Sequence, residues 1–266
     1  DYSVQSVGGV PYAGKVDVDN QNMWLYGIYN FKGGNTGLLY KYTFNNSNRL
    51  LGFKTKIHTL IPYLKATFGP VYVEGEVIYS FGKARAMEAG TDVDAAQLGA
   101  YLQVRANFGP AYAGGLYLYS AGDDGSDPTK SKLGPRTTDM NPALILANDE
   151  LQTWENRNAV QTSAYTAYTS DKYNIHMIKL FGGFNPNAKS NVELAFITAK
   201  ADKLTAANVS KNYGMEIDAT ASYKIYDNLT YMVGAAYLWT GDCFKGTTTN
   251  EVGNDYLLMN RLTLSF

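Results

Sequence analysis

Between residues 213 and 226 the chain alternates with a period of two. Tyr213, Met215, Ile217, Ala219, Ala221, Tyr223 and Ile225 share one parity, and Glu216, Asp218, Thr220, Ser222 and Lys224 share the other. Such alternation predicts a β-strand whose two faces meet different solvents, because successive side chains point to opposite sides of the pleat. A turn at "YDN" (226–228) leads into "LTYMVGAAYLWTG", where Leu229, Tyr231, Val233, Ala235, Tyr237 and Trp239 align on one face. The last stretch, "YLLMNRLTLSF", keeps the rhythm to the final side chain. Tyr256, Leu258, Leu262, Leu264 and Phe266 fall on one parity, interrupted by Asn260, and Arg261, Thr263 and Ser265 fall on the other.

The same grammar runs through most of the chain. "KATFGPVYVEGEVIYSFG" (65–82) and "RANFGPAYAGGLYLYSAG" (105–122) match at 9 of 18 positions at an offset of 40 residues. In each, one alternating strand enters Phe-Gly-Pro and another leaves it, and Gly-Pro supplies the tight turn. The pattern predicts strands over 22–31, 36–45, 54–68, 70–81, 93–108, 110–121, 172–184, 191–203, 211–226, 228–241 and 253–266. Short turns then alternate with longer polar loops (82–92, 122–171, 204–210, 242–252), so short turns gather at one end and long loops at the other. This asymmetry is the mark of an outer-membrane barrel. One further ascending strand within 1–20 would make twelve and give an even count. A soluble sandwich or lipocalin-like barrel also alternates, but its strands are shorter and its apolar face is covered.

Composition agrees with a membrane wall. The 23 basic and 24 acidic residues nearly cancel, which makes nucleic acid an unexpected partner. The 22 tyrosines far outnumber the 11 phenylalanines, and tyrosine suits boundaries between apolar and aqueous media. The lone Cys243 excludes an internal disulfide framework and any multi-cysteine metal site. The longest apolar run, "MVGAAYLW", falls far short of a membrane-spanning helix, a fact that leaves closed β-barrels untouched. Without an initiator Met or a signal-like segment, the chain reads as processed or partial, starting at Asp1 within a longer precursor.

The final strand resembles the C-terminal signal of Gram-negative outer-membrane barrels, which the barrel-assembly machinery reads; Tyr256, Leu258, Leu262, Leu264 and Phe266 carry the match. The stretches 224–246 and 58–77 are similar to large porin-like barrels of the alginate-export type. The likeness covers roughly 54–266 and implies passage across the outer membrane, in a barrel that could hold more strands than these. It further implies outer-membrane lipid and lipopolysaccharide as surroundings, a homo-oligomer as one assembly state, and no cofactor.

In such a barrel the charged parity faces the lumen. Lys65, Glu74, Glu76, Arg105, Lys179, Glu193, Glu216, Asp218, Lys224 and Arg261 are then pore-lining candidates, whose mixed signs would tune solute passage or simply pair across a filled lumen. Segment 122–171 is too long for an ordinary hairpin loop, and its apolar patch at 143–147 has no place in a wholly solvated one. It either folds inward as a constriction, with Arg136, Asp139, Asp149 and Glu150 as polar members, or forms an external lid or subunit contact. "DDGSD" (123–127) lacks the distal glutamate of a calcium loop and reads as a solvated acidic turn, so no metal site is expected. His58 and His176 share parity with apolar neighbours, which argues against a catalytic residue of either kind and against an outer-membrane enzyme. The sequence therefore points to a porin for small hydrophilic solutes or ions, with an exporter component or a sleeve around a partner protein as the alternative.

Overall fold

A computed structural model describes residues 6–7, 10–11, 19–134, 141–148, 173–206, 208–247, 249 and 251–266. Two short strands, β1 (Ser6–Val7) and β2 (Val10–Pro11), pair with each other apart from the main sheet. The main sheet contains β3 (Asn20–Phe31), β4 (Gly34–Asn45), β5 (Phe53–Phe68), β6 (Val71–Met87), β7 (Val93–Phe108), β8 (Ala111–Ser120) and β9 (Lys130–Ser131). It continues through β10 (Ile175–Asn187), β11 (Ser190–Lys200), β12 (Asn212–Tyr226), β13 (Leu229–Thr240) and β14 (Asp255–Leu264). The long strands form an antiparallel meander in which each bonds to the next, and short β9 runs parallel to β7.

The connections explain the topology. At Phe68–Val71 and Phe108–Ala111, Gly69 and Gly109 adopt φ of +59° and +63°, followed by Pro. A glycine at the first central position of a two-residue hairpin matches the right-handed twist of its strands. These turns, with those at 32–33, 188–189 and 227–228, lie at one end together with the C-terminus. The longer connections lie at the other. The strand after the first Phe-Gly-Pro runs on to Met87, past the predicted 81. Gly82, at φ +112°, lets it bend rather than stop.

Alternation sorts the side chains onto two faces. The outer face exposes Ile178, Leu180, Leu194, Phe196, Met215, Ile217, Tyr231, Val233, Tyr237 and Trp239, and on β14 Tyr256, Leu258, Leu262 and Leu264. Leu258 is 81% exposed. Among the described residues no second layer covers this band, the arrangement expected of a strand wall that faces lipid. A strand of 12 residues, such as β13, is about 40 Å long and, tilted by about 45°, spans roughly the 30 Å hydrocarbon core.

Two sequence expectations change. Tyr213 does not share the outer face with Met215 and Ile217. It is buried on the inner side, because Lys200 pairs with Asn212 while Ala199 pairs with Gly214, leaving Tyr213 as the extra residue of a bulge at Gly214 (φ +120°). Among the described residues the twelfth strand of the sheet is β9 rather than an ascending N-terminal strand, and β14 pairs with β13 alone. The physical reason lies in direction. Strands β3 and β14 both run from the long-loop end to the short-turn end, so joining them directly would require a parallel pair in an otherwise antiparallel wall.

Candidate functional site

The inner face divides into a polar belt and an apolar patch. The belt begins where register sets Lys65 opposite Glu74, and the two form an ion pair at 3.0 Å. Tyr72, two residues from Glu74 on the same face, donates its hydroxyl to Glu74 Oε2 at 2.6 Å. Tyr101, on the neighbouring strand, donates to Oε1 at 2.7 Å. Glu74 is thus held by an ammonium and two phenols. Glu76 lines an open hollow of about 440 Å³ with Asn35, Tyr63, Lys65 and Tyr101.

The belt continues on the next strands. The Arg105 guanidinium lies 3.7 Å above the Tyr112 ring. The Tyr112 hydroxyl donates to Glu193 Oε2 at 2.9 Å and accepts from Asn191 Nδ2 at 2.9 Å. Lys179 pairs with Glu193 at 3.2 Å. A side chain at Gly183 would collide with the Tyr112 ring, so the glycine opposite makes room for this aromatic bridge.

Toward the long-loop end, the inner parity of β8, β10, β11 and β13 turns apolar: Leu118, Met177, Ile197 and Leu238 are fully buried. Their cover is segment 141–148. Ile145 and Leu146 pack into this cluster, and the Asn148 side-chain amide donates to the carbonyls of Ala143 and Leu144, closing the turn. Three successive backbone N–H groups then point at two wall carboxylates. Leu144 N–H donates to Asp218 Oδ2 at 3.0 Å, and Ile145 and Leu146 N–H donate to Glu216 Oε1 and Oε2, each at 2.7 Å. Such converging amides form an anion-binding concavity, filled here by the protein's own carboxylates. These bonds are shielded from water, a setting in which removal of one partner is expensive.

The sequence candidates therefore separate. Lys65, Glu74, Glu76, Arg105, Lys179 and Glu193 belong to the belt. Glu216 and Asp218 do not line an open lumen: they are 0% and 4% exposed, beneath segment 141–148, whose amides need acceptors once buried. Lys224 is exposed near the short-turn end, and Arg261 is half-buried on the inner parity of β14. Arg136, Asp139, Asp149 and Glu150 lie outside the described residues. Sequence reasoning passed over Tyr72, Tyr101, Tyr112 and Asn191. Their shared parity with Glu74, Arg105 and Glu193 was the available signal, masked by tyrosine's equal fitness for a lipid interface.

The remaining chemistry-bearing residues are engaged locally. Asp123, Asp124 and Asp127 accept backbone N–H bonds from Gly125, Ser126 and Thr129. His58 bonds Tyr40 and packs against Tyr42 and Phe81 on the outer face. His176, also outward, lies between the Tyr117 hydroxyl and Asp202. Cys243 is buried in the turn Asp242–Lys245, and that burial pushes its thiol up to about 11.

No protein-family model and no curated protein matches the chain. Solved structures do overlap with it. The "NanC porin structure in rhombohedral crystal form" is 9% identical, with 93% of this chain and 94% of that chain covered, at a TM-score of 0.40. OmpT, an outer membrane protein of Vibrio cholerae, is 13% identical over 90% of this chain and 63% of that chain, at 0.40. Outer membrane phospholipase A from Escherichia coli is 10% identical over 92% and 83%, at 0.36. These are resemblances of strand arrangement, and the assignment rests on the strand pattern itself. By its antiparallel meander, uncovered apolar outer band, short turns at one end and polar belt inside, the chain has the strand architecture of an outer-membrane β-barrel.

Proposed function

We propose that this protein is an outer-membrane channel for passive diffusion of small hydrophilic solutes or ions, narrowed by segment 141–148. The observation that carries the reading is the unequal cover of the inner face. The segment is fixed over β12 by three amide–carboxylate bonds, while the belt on β5–β7 stays open around a hollow of about 440 Å³. A polar, charge-mixed wall beside an anchored apolar constriction supports selection by width and by a field across the lumen. Diffusion needs no cofactor and no covalent step. Both histidines face outward, which supports a non-enzymatic role. The exposed C-terminal strand up to Phe266 fits recognition by the barrel-assembly machinery.

Planar-bilayer recording tests the proposal. Purified protein should give stepwise, ohmic conductance. Protein that inserts in full yet never conducts would sink it.

A further inference from the structure

The outer face carries a site that the channel reading does not use. Where β8, β10, β11 and β12 reach the long-loop end, a cavity of about 630 Å³ opens outward, lined by Tyr117, His176, Ile178, Lys200, Lys211 and Asn212 among others. Register makes this place: Lys200 ends β11 opposite Asn212, which begins β12, so Lys211 falls beside them. Ile178 forms part of the cavity wall, and below it on the same face stand Leu180 and Phe196, exposed members of the apolar band. The cavity therefore sits where the hydrocarbon-facing wall gives way to the loops, at the depth of lipid headgroups.

Its charge is partly unmatched. Several lysines at the long-loop end meet carboxylates: Lys54 with Glu88 at 3.8 Å, Lys83 with Asp94 at 2.6 Å and Lys245 with Asp242 at 2.8 Å. Lys200 is exposed and has no ion-pair partner among the described residues. Lys211 donates to a neutral group, the backbone carbonyl of Asp202, at 2.6 Å, which leaves its charge in place. The nearby Asp202 carboxylate is engaged on the other side, by Gly122 N–H at 2.9 Å and His176 Nε2 at 3.2 Å. That engagement also fixes the aromatic wall. His176 Nδ1 meets the Tyr117 hydroxyl at 2.7 Å, and its ring packs 4.8 Å from Tyr119.

We propose that this cavity binds a phosphate-bearing lipid of the outer leaflet, with the phosphate at Lys200 and Lys211 and an acyl chain on Ile178 and Leu180. Two ammonium groups above an apolar floor suit an amphiphile with an anionic head better than a free ion or a neutral lipid. Bound lipid would brace the long-loop ends of β10–β12, strands that carry the inner constriction. The assignment does not depend on whether the lumen conducts.

Native mass spectrometry of the full chain in dodecyl maltoside tests it. The probes are bisphosphorylated lipid A, the same lipid stripped of both phosphates, and inorganic phosphate at millimolar concentration. Wild-type protein should retain one lipid A. The Lys200→Gln/Lys211→Gln variant should bind it at least about tenfold more weakly, given roughly 1 kcal/mol per cation at the headgroup level. Lys200→Arg should restore most of the binding when combined with Lys211→Arg, which separates charge from folding. Equal retention of the dephosphorylated lipid would overturn the proposal, since the lysines would then be bystanders. Displacement of lipid A by inorganic phosphate would also overturn it, reassigning the cavity to a free anion. Ile178→Ser should weaken lipid A binding while leaving the strand fold, read by circular dichroism, unchanged; undiminished binding would exclude the apolar floor.

Discussion

The inner faces of β5–β7 and of β10–β13 start from the same alternation and end in different states. On β5–β7 the polar parity stays wet: the Lys65 side chain is 51% exposed, and Glu74 is steadied by Lys65, Tyr72 and Tyr101. On β12 the same parity puts Glu216 and Asp218 at the wall, yet segment 141–148 covers them and spends them on backbone amides. Charge on an inward parity therefore does not by itself mean a pore lining. What decides is whether something with unmet hydrogen-bond donors lies on top.

Removing the cover should erase the contrast. Deletion of 141–148 would expose Glu216 and Asp218 and raise unit conductance severalfold in planar bilayers. Unchanged conductance would break the comparison, because the segment would then not narrow the path.

Releasing the cover chemically is the next largest effect. Glu216→Ala/Asp218→Ala leaves three amides without acceptors, worth on the order of 3 kcal/mol of tethering once the freed segment is solvated. Proteolysis within the segment should accelerate by about a hundredfold, while the strands remain protected. Glu216→Gln sharpens the point, since its amide nitrogen would face an N–H where a second oxygen is needed. It should loosen the segment more than its near-identical shape suggests.

Crowding the cover is milder. A Cβ at Gly234 would come within 3.1 Å of Leu144 Cδ1, so Gly234→Val should cost about 1–3 kcal/mol of segment packing. It should raise the same proteolysis rate without changing either carboxylate. On the open side, the smallest effect is expected from Lys65→Gln. A half-exposed ion pair contributes about 0–1 kcal/mol, so stability should hold. Reversal potentials should nevertheless move a few-fold toward cations, because Glu74 loses its counter-charge.

Much of the wall was legible in the chain. Period-two alternation located the long strands because every one of them separates two solvents, and Phe-Gly-Pro located two turns because few residues take φ near +60°. Tyr213 escaped that reading, since a bulge shifts parity by one residue and leaves the residue types unchanged. The belt was partly legible. Its ions stood out at strand centres, but the phenols that bind them looked like interface aromatics.

The sequence alone determined an antiparallel, two-faced strand wall, with its turns at one end, its loops at the other and an apolar outer band that runs to Phe266. Those features depend only on neighbours within a few residues and on pleat geometry. Tertiary structure alone decided which inward charges meet water and which are buried. Glu216 and Ile145 lie 71 residues apart, and their union depends on where a long connection is laid down. It likewise brought His176, Lys200 and Lys211 to one cavity from two strands and a loop, and no local period records such a meeting.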